Sequence, residues 1–310
     1  MKRNVILLSL VFLFFATLIE LGLRILFGFG YPPLYISDDQ FEYIQAPNQN
    51  LIRFGNKYLV NGYSMRSKPL KNKDSINILG LGDSVLNGGV LTTHDSLATS
   101  LLENRFSLDF DTNIRVLNVS AGSWGTDNAM AYLDKYGDFN ASLIFLVISS
   151  HDLYDVMDFQ PVVGNHLSYP EKKPLFAIQE LVYRYLIPRI KRYLKLDLSD
   201  DFKLGINQKS KVINPGHQAI IDYCNLKEIP LLVYLHSEIG ELENHEYNDN
   251  GKKTIDLLNH RNVKFISSLN TPMDKSCYRD FIHLNEKGQR ILAESLYLGI
   301  RPHLDSIVGN

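Results

Sequence analysis

The sequence predicts an α/β protein: a parallel sheet of about five strands with helices on both faces, preceded by one transmembrane helix. Three observations carry this expectation. Strand-length runs rich in Val, Ile and Leu recur at 76–81, 114–119, 143–148, 229–235 and 263–266, as buried strands require. The segments between them carry apolar residues on helical spacing, and strand–helix alternation makes crossover connections and hence parallel pairing. Ahead of all this, residues 5–29 are almost wholly apolar, long enough to cross a bilayer.

Taken in order, Lys2 and Arg3 precede the apolar stretch, which is interrupted mainly by Glu20 and Arg24. These two stand four apart and can pair on one helix face. No small-x-small site follows a short apolar core, so residues 1–30 read as an uncleaved signal anchor. The basic start puts that end in the cytoplasm and the rest of the chain in the periplasm or outside the cell. Tyr31-Pro32-Pro33 ends the helix. Residues 31–74 read as an accessory and linker region, with a strand-like Tyr58-Leu59-Val60, a tight turn at Asn61-Gly62 and a charged linker over 68–74. Arg53 and Arg66 there are either contacts to an anionic or hydroxyl-rich ligand or solvated charges on a small sheet.

The main domain is expected over 75–310. Its helices are expected at 96–106, at 127–136 after a cap-like Thr126, and at 285–298. Alternation lapses at about 153–211, an insertion with aromatics, several Lys and Arg, and a kinking Pro188. It reads as a lid, a face lying on the membrane, or a plain pair of surface helices.

Composition narrows the function. The 310 residues are 45% apolar and 21% charged, with a net charge of −2, a folded chain without the basic excess of a nucleic-acid binder. Cys224 and Cys277 form no C-x-x-C; outside the cytoplasm they could make one bridge. His217, His236, His245 and His260 stand in no H-x-x-x-H or H-E-x-x-H spacing, so neither metal nor cofactor is expected.

Polar residues gather where the predicted strands end, the ligand-binding edge of such sheets. The first strand delivers Gly82-Asp83-Ser84 and then Gly88-Gly89, a setting for an exposed serine nucleophile. Serine needs a base, usually His held by a carboxylate, and Asp280-Phe281-Ile282-His283 follows the fifth strand, before the last helix. Donors for an oxyanion can come from the N–H groups of Ser84 and Gly122 and from the loop Ser149-Ser150-His151-Asp152. Asp83, Trp124 and Asp152, at the same strand ends, are candidate substrate contacts.

In this order and spacing, Gly82-Asp83-Ser84, Gly122, a polar residue before Asp152 and Asp280-x-x-His283 resemble the SGNH (GDSL-type) hydrolases over roughly residues 75–300. The resemblance implies a flavodoxin-like sheet of SGNH-hydrolase type. It also implies Ser84 as nucleophile, His283 as base, Asp280 as its orienter, and Gly122 with Ser84 in the oxyanion hole. The family's usual asparagine is replaced by His151, whose ring N–H can donate in its place; the alternative is a structural His151 and two backbone donors. An acyl-serine would be resolved by water in an esterase or by a sugar hydroxyl in an O-acyltransferase. Anchored members of the family tend to be associated with acetyl groups on exported polysaccharides. The expected substrates are therefore O-acetyl esters of envelope or exported glycans, or lipid esters, with envelope polysaccharide machinery as partner. A glycan-binding protein that keeps the fold without catalysis is the rival from another class.

Overall fold

The computed structural model describes residues 2–70, 75–195 and 208–308. Helix α1 (Lys2–Phe27) is long and apolar enough to cross a membrane, and its apolar side chains are exposed. Two antiparallel hairpins follow, β1 (Tyr35–Asp38) with β2 (Glu42–Gln45), and β3 (Gln49–Arg53) with β4 (Asn56–Val60). Then come β5 (Ile76–Gly82), the single turn α2 (Ser84–Asn87), α3 (Ala98–Asp109), β6 (Ile114–Ser120), α4 (Thr126–Tyr136) and β7 (Ala141–Ser149).

The insertion holds β8 (Asp155–Val156), α5 (Ala177–Glu180), a π-helical stretch over Leu181–Leu186, α6 (Ile187–Tyr193) and β9 (Gln208–Lys209), which pairs with β8. Positions 196–207 of the expected insertion and 71–74 of the expected linker lie outside the described residues. The chain continues through α7 (Pro215–Lys227), β10 (Leu231–His236), α8 (Ile239–Asn244), α9 (Asp249–His260), β11 (Lys264–Ser267) and α10 (Glu286–Val308).

The large sheet runs β11-β10-β7-β5-β6, all parallel. Counted along the chain this is strand order 2-1-3-4-5, the flavodoxin-like arrangement with its switch point between the first and third strands. Side chains alternate between two cores. Along β7, Ile144, Leu146 and Ile148 enter one, with α4, α7 and α9. Phe145 and Val147 enter the other, with α3 and α10. Each face is apolar because each is covered, so the strands read as continuous apolar runs.

Helices α7 and α9 escape the sequence reading because their starts look like turns. Asn214-Pro215-Gly216 is a capped first turn: Asn214 accepts the Gly216 N–H at 2.7 Å and Pro215 fills a position that needs no donor. Gly216 is required by packing, since a Cβ there would meet the Asp127 backbone nitrogen of α4 at 2.1 Å. Asn248 caps α9 by accepting from Asn250 and Gly251. Pro188 does not split the insertion helix; the π turn before it absorbs the missing donor.

The expectation for Arg53 and Arg66 is corrected. Arg53 and Arg66 are neither solvated nor free for a ligand, being 0% exposed. Arg53 pairs with Glu180 and lies against the Phe29 and Phe54 rings. Arg66 donates to the carbonyls of Asn87, Leu59 and Gly89. Cys224 and Cys277 are free and buried in the two different cores, on opposite faces of the sheet. Finally, Phe41, Tyr43, Ile44 and Met65, from the region before the sheet, share the core of β5, β6 and β7.

Candidate active site

Register brings the strand ends together. Gly82 stands opposite Ser120 of β6 and Val147 of β7, so the segments after β5, β6 and β7 leave from one edge. Asp83 follows β5 and caps the next turn by accepting the Val85 N–H at 2.8 Å. Gly88, at φ +70°, closes that turn. Ser84 thus sits half-buried at the first position of α2, where its own N–H has no intrahelical acceptor.

From the other end of the chain, the His283 Nε2 lies 2.9 Å from Ser84 Oγ. Its Nδ1 lies 2.8 Å from one Asp280 oxygen and 3.0 Å from the other. Asp280 Oδ1 also accepts the backbone N–H groups of His283 and Ile282, at 2.8 and 3.1 Å. Desolvation disfavours the Asp280 charge, but these donors and the imidazole outweigh it and hold the carboxyl below its usual range. With Nδ1–H given to Asp280, Nε2 keeps a lone pair for the serine proton.

The loop that carries His283 is itself held. Arg279 N–H donates to the His283 carbonyl at 2.8 Å. Buried His236, at the end of β10, bonds through Nε2 to the Ile282 carbonyl at 2.8 Å; burial pushes its pKa down to about 4, so the neutral ring donates there. In the sequence His236 is only one of the histidines without metal-ligand spacing, yet it holds the backbone of this loop.

Gly122 lies in the turn after β6. Its carbonyl accepts from Tyr43 Oη at 2.9 Å and Tyr169 Oη at 3.1 Å, so two tyrosines distant in sequence fix the turn. Its N–H has no acceptor among the described residues.

His151 stands among acids. Nε2 is 3.2 Å from Asp152 and 3.8 Å from Asp83, and Nδ1 is 3.6 Å from Glu238. Burial opposes its charge, but Asp152, Glu238 and Asp83 carry the pKa up to about 10, so the ring is an imidazolium at neutral pH. Asp83, desolvated and beside Asp152, is raised to about 7. Both faces of the ring's hydrogen-bonding edge therefore point at carboxylates. Asp83, His151 and Asp152 present ligand atoms within 4.8 Å of one another; with the ring protonated the three form an ion-pair group.

A cavity of about 830 Å³ opens over Ser84, His283, Gly122 and His151, walled also by Tyr35, Tyr169 and Arg279. Two expected substrate contacts are corrected. Trp124 is 2% exposed and donates its indole N–H to the Tyr43 carbonyl; it is a core residue. Asp152 is buried outside the cavity wall and accepts the Ser149 N–H at 2.7 Å. Asp83 does line the cavity. Arg279 and Glu238, also on the wall, carried no sequence signal: each is a lone charge until folding brings it to the cleft.

The sequence matches no protein-family model and no curated protein. Among solved structures, the chain is similar to the psychrotrophic esterase EstA from Pseudoalteromonas sp., at 12% identity and TM-score 0.42, covering 74% of this chain and 98% of that one. It is similar to TesA at 11% identity and TM-score 0.45, covering 73% and 99%. It is also similar to Axe2, an acetyl xylan esterase from Geobacillus stearothermophilus, at 13% identity and TM-score 0.38, covering 74% and 96%. The fold is defined by the chain's own strand order and the site by its own distances.

Proposed function

We propose that this chain is a membrane-anchored serine esterase of SGNH type, acting on O-acyl esters through an acyl-serine intermediate. The observation that carries the reading is the continuous relay from Ser84 Oγ through His283 to Asp280, at 2.9 and 2.8 Å. His283 takes the hydroxyl proton as Ser84 Oγ attacks the ester carbonyl. The N–H groups of Ser84 and Gly122 receive the oxyanion, and the His151 imidazolium adds a positive charge beside them. Collapse expels the alcohol, which takes the proton from His283. Water, activated by the same imidazole, then releases the acid. Asp280 keeps the imidazole in the productive tautomer.

O-acetyl groups on envelope or exported glycans are the proposed substrates. Supporting this are α1, which would confine the site to a membrane surface, and a cleft large enough for a sugar ring around the ester. The cleft would face the periplasm or the outside, since Lys2 and Arg3 precede the span.

The test is hydrolysis of p-nitrophenyl acetate by the full chain in detergent beside Ser84→Ala, with a fluorophosphonate probe on both. The expected result is a rate loss of roughly 10³-fold or more in the variant and labelling of the wild type alone. Equal rates refute the enzyme. Adding an oligosaccharide acceptor separates hydrolysis from transfer by where the acetyl group ends.

A further inference from the structure

The C-terminal end of α1 does not hang free. The Glu20 carboxylate accepts the Ala177 and Ile178 N–H groups at 2.7 and 3.1 Å, and Arg24 Nη2 donates to the Leu175 carbonyl at 2.8 Å. Counting about 20 residues of 1.5 Å rise from Val5 puts Arg24 at the far boundary of a ~30 Å hydrocarbon layer, with Glu20 one turn inside it. The helical run that starts there, residues 177–193, begins at the depth where a bilayer ends.

Its exposed surface is not that of an ordinary soluble helix. Leu186, Ile190 and Tyr193 are exposed at spacings of four and three along α6 from its N-cap, so they share one face, and Tyr183 in the π turn before it is exposed too. Leu175 is 75% exposed beside the anchor, and Ile25 and Leu26 of α1 continue the apolar surface. Between 171 and 195 the chain has seven basic residues and two acidic ones. One of the two, Glu180, is already engaged by Arg53 and Arg184. An apolar, tyrosine-bearing face with an excess of cations matches the boundary of a bilayer with anionic headgroups.

We propose that residues 175–194 form an interfacial helix that lies on an anionic bilayer surface beside the exit of α1 and holds the cleft at a fixed height above it. The proposal rests on α1 spanning the bilayer. Tyr169, on the cavity wall, is six residues from Leu175, so the two Cα atoms are at most about 20 Å apart. An ester group within that reach of the headgroups is the one the cleft is placed to take.

The test uses the full chain in vesicles of phosphatidylcholine and phosphatidylglycerol, carrying one spin label at Ile190→Cys or Tyr193→Cys. Reference labels are Leu226→Cys, on the exposed surface of α7, and Leu13→Cys, inside α1. Native Cys224 and Cys277 are buried. Power saturation with oxygen and with a water-soluble nickel chelate reads depth. The expected result is loss of nickel accessibility at 190 and 193, with oxygen accessibility kept, while 226 stays open to nickel. If 190 and 193 behave like 226 while 13 reads lipid, the interfacial helix is refuted and the anchor stands. If 190 and 193 are shielded from both reagents, a protein contact covers the face and the proposal falls. If 13 reads water, the spanning anchor itself has failed.

Discussion

Replacing His151 by Asn removes the one cation from a buried acidic cluster, and its cost can be worked out. Asp83 and Asp152 are both about 97% buried and face the ring at 3.8 and 3.2 Å. Taking one partner from a buried ion pair costs about 3–5 kcal/mol. The His151 side chain is 26% exposed, so the lower end applies, about 2–3 kcal/mol after solvent screening. At an unfolding entropy of roughly 2.1 cal/mol/K per residue, that lowers the melting temperature by about 4 °C for a domain of this size.

The pH dependence fixes the cause. The His151 pKa is raised when folded, to about 10, so its stabilisation is complete below the unfolded value of about 6.5 and is lost as pH rises through 10. In His151→Asn, Asp83 and Asp152 lose the charge that lowers their pKa and take up protons more readily in acid. The stability gap should be widest near the unfolded His value of about 6.5 and should close as pH rises toward 10. Thermal unfolding of the full chain in detergent, followed by near-ultraviolet circular dichroism at about pH 6.5 and about pH 10, measures this. No change at the lower pH, or the same loss at both, would refute the ion-pair account.

Further outcomes follow from the same geometry. If His151 assists the oxyanion, His151→Ala lowers kcat by about 10²-fold and His151→Asn recovers most of it in steady-state assays at equal folded fraction. Asp280→Asn should lower kcat by up to about 10⁴-fold with little change in KM, because the amide can hold the wrong imidazole tautomer. Glu180→Gln strands the Arg53 guanidinium without a counter-charge. Arg53 retains the Gly28 carbonyl, the Tyr185 hydroxyl and two aromatic rings, so about 3 kcal/mol is expected, read as a melting-temperature drop with kcat unchanged.

Much of the fold was legible because the inner strands β5, β7 and β10 are buried on both faces and read as largely apolar runs. Ser84, Gly122, Asp280 and His283 were legible as motifs at strand ends, and the chain brings all four to one cavity. The remainder depended on three-dimensional neighbours. His151 reads as a substituted asparagine in sequence, whereas its chemistry is set by Asp83 and by Glu238, 87 residues away. Trp124 sits at a strand end like a cleft residue, but the β1–β2 hairpin covers it and Tyr43 takes its N–H. Arg53 and Arg66 looked solvated because nothing local predicts that Glu180 and a set of carbonyls would receive them.

The two tyrosine hydroxyls on the Gly122 carbonyl have a consequence for how the protein can be divided. Tyr43 belongs to the hairpin before the sheet and Tyr169 to the insertion, so the turn bearing one proposed oxyanion donor is braced from outside the strand–helix framework on both sides. A version cut to begin at Ser75 would retain all five sheet strands, Ser84 and His283. It would also expose the hydrophobic patch that Phe41, Tyr43 and Ile44 now cover and leave the Gly122 turn to Tyr169 alone. The smallest piece with a fixed site therefore starts where α1 stops, and grafting the hairpin or the insertion from another protein would disturb the chemistry without touching a residue of the relay.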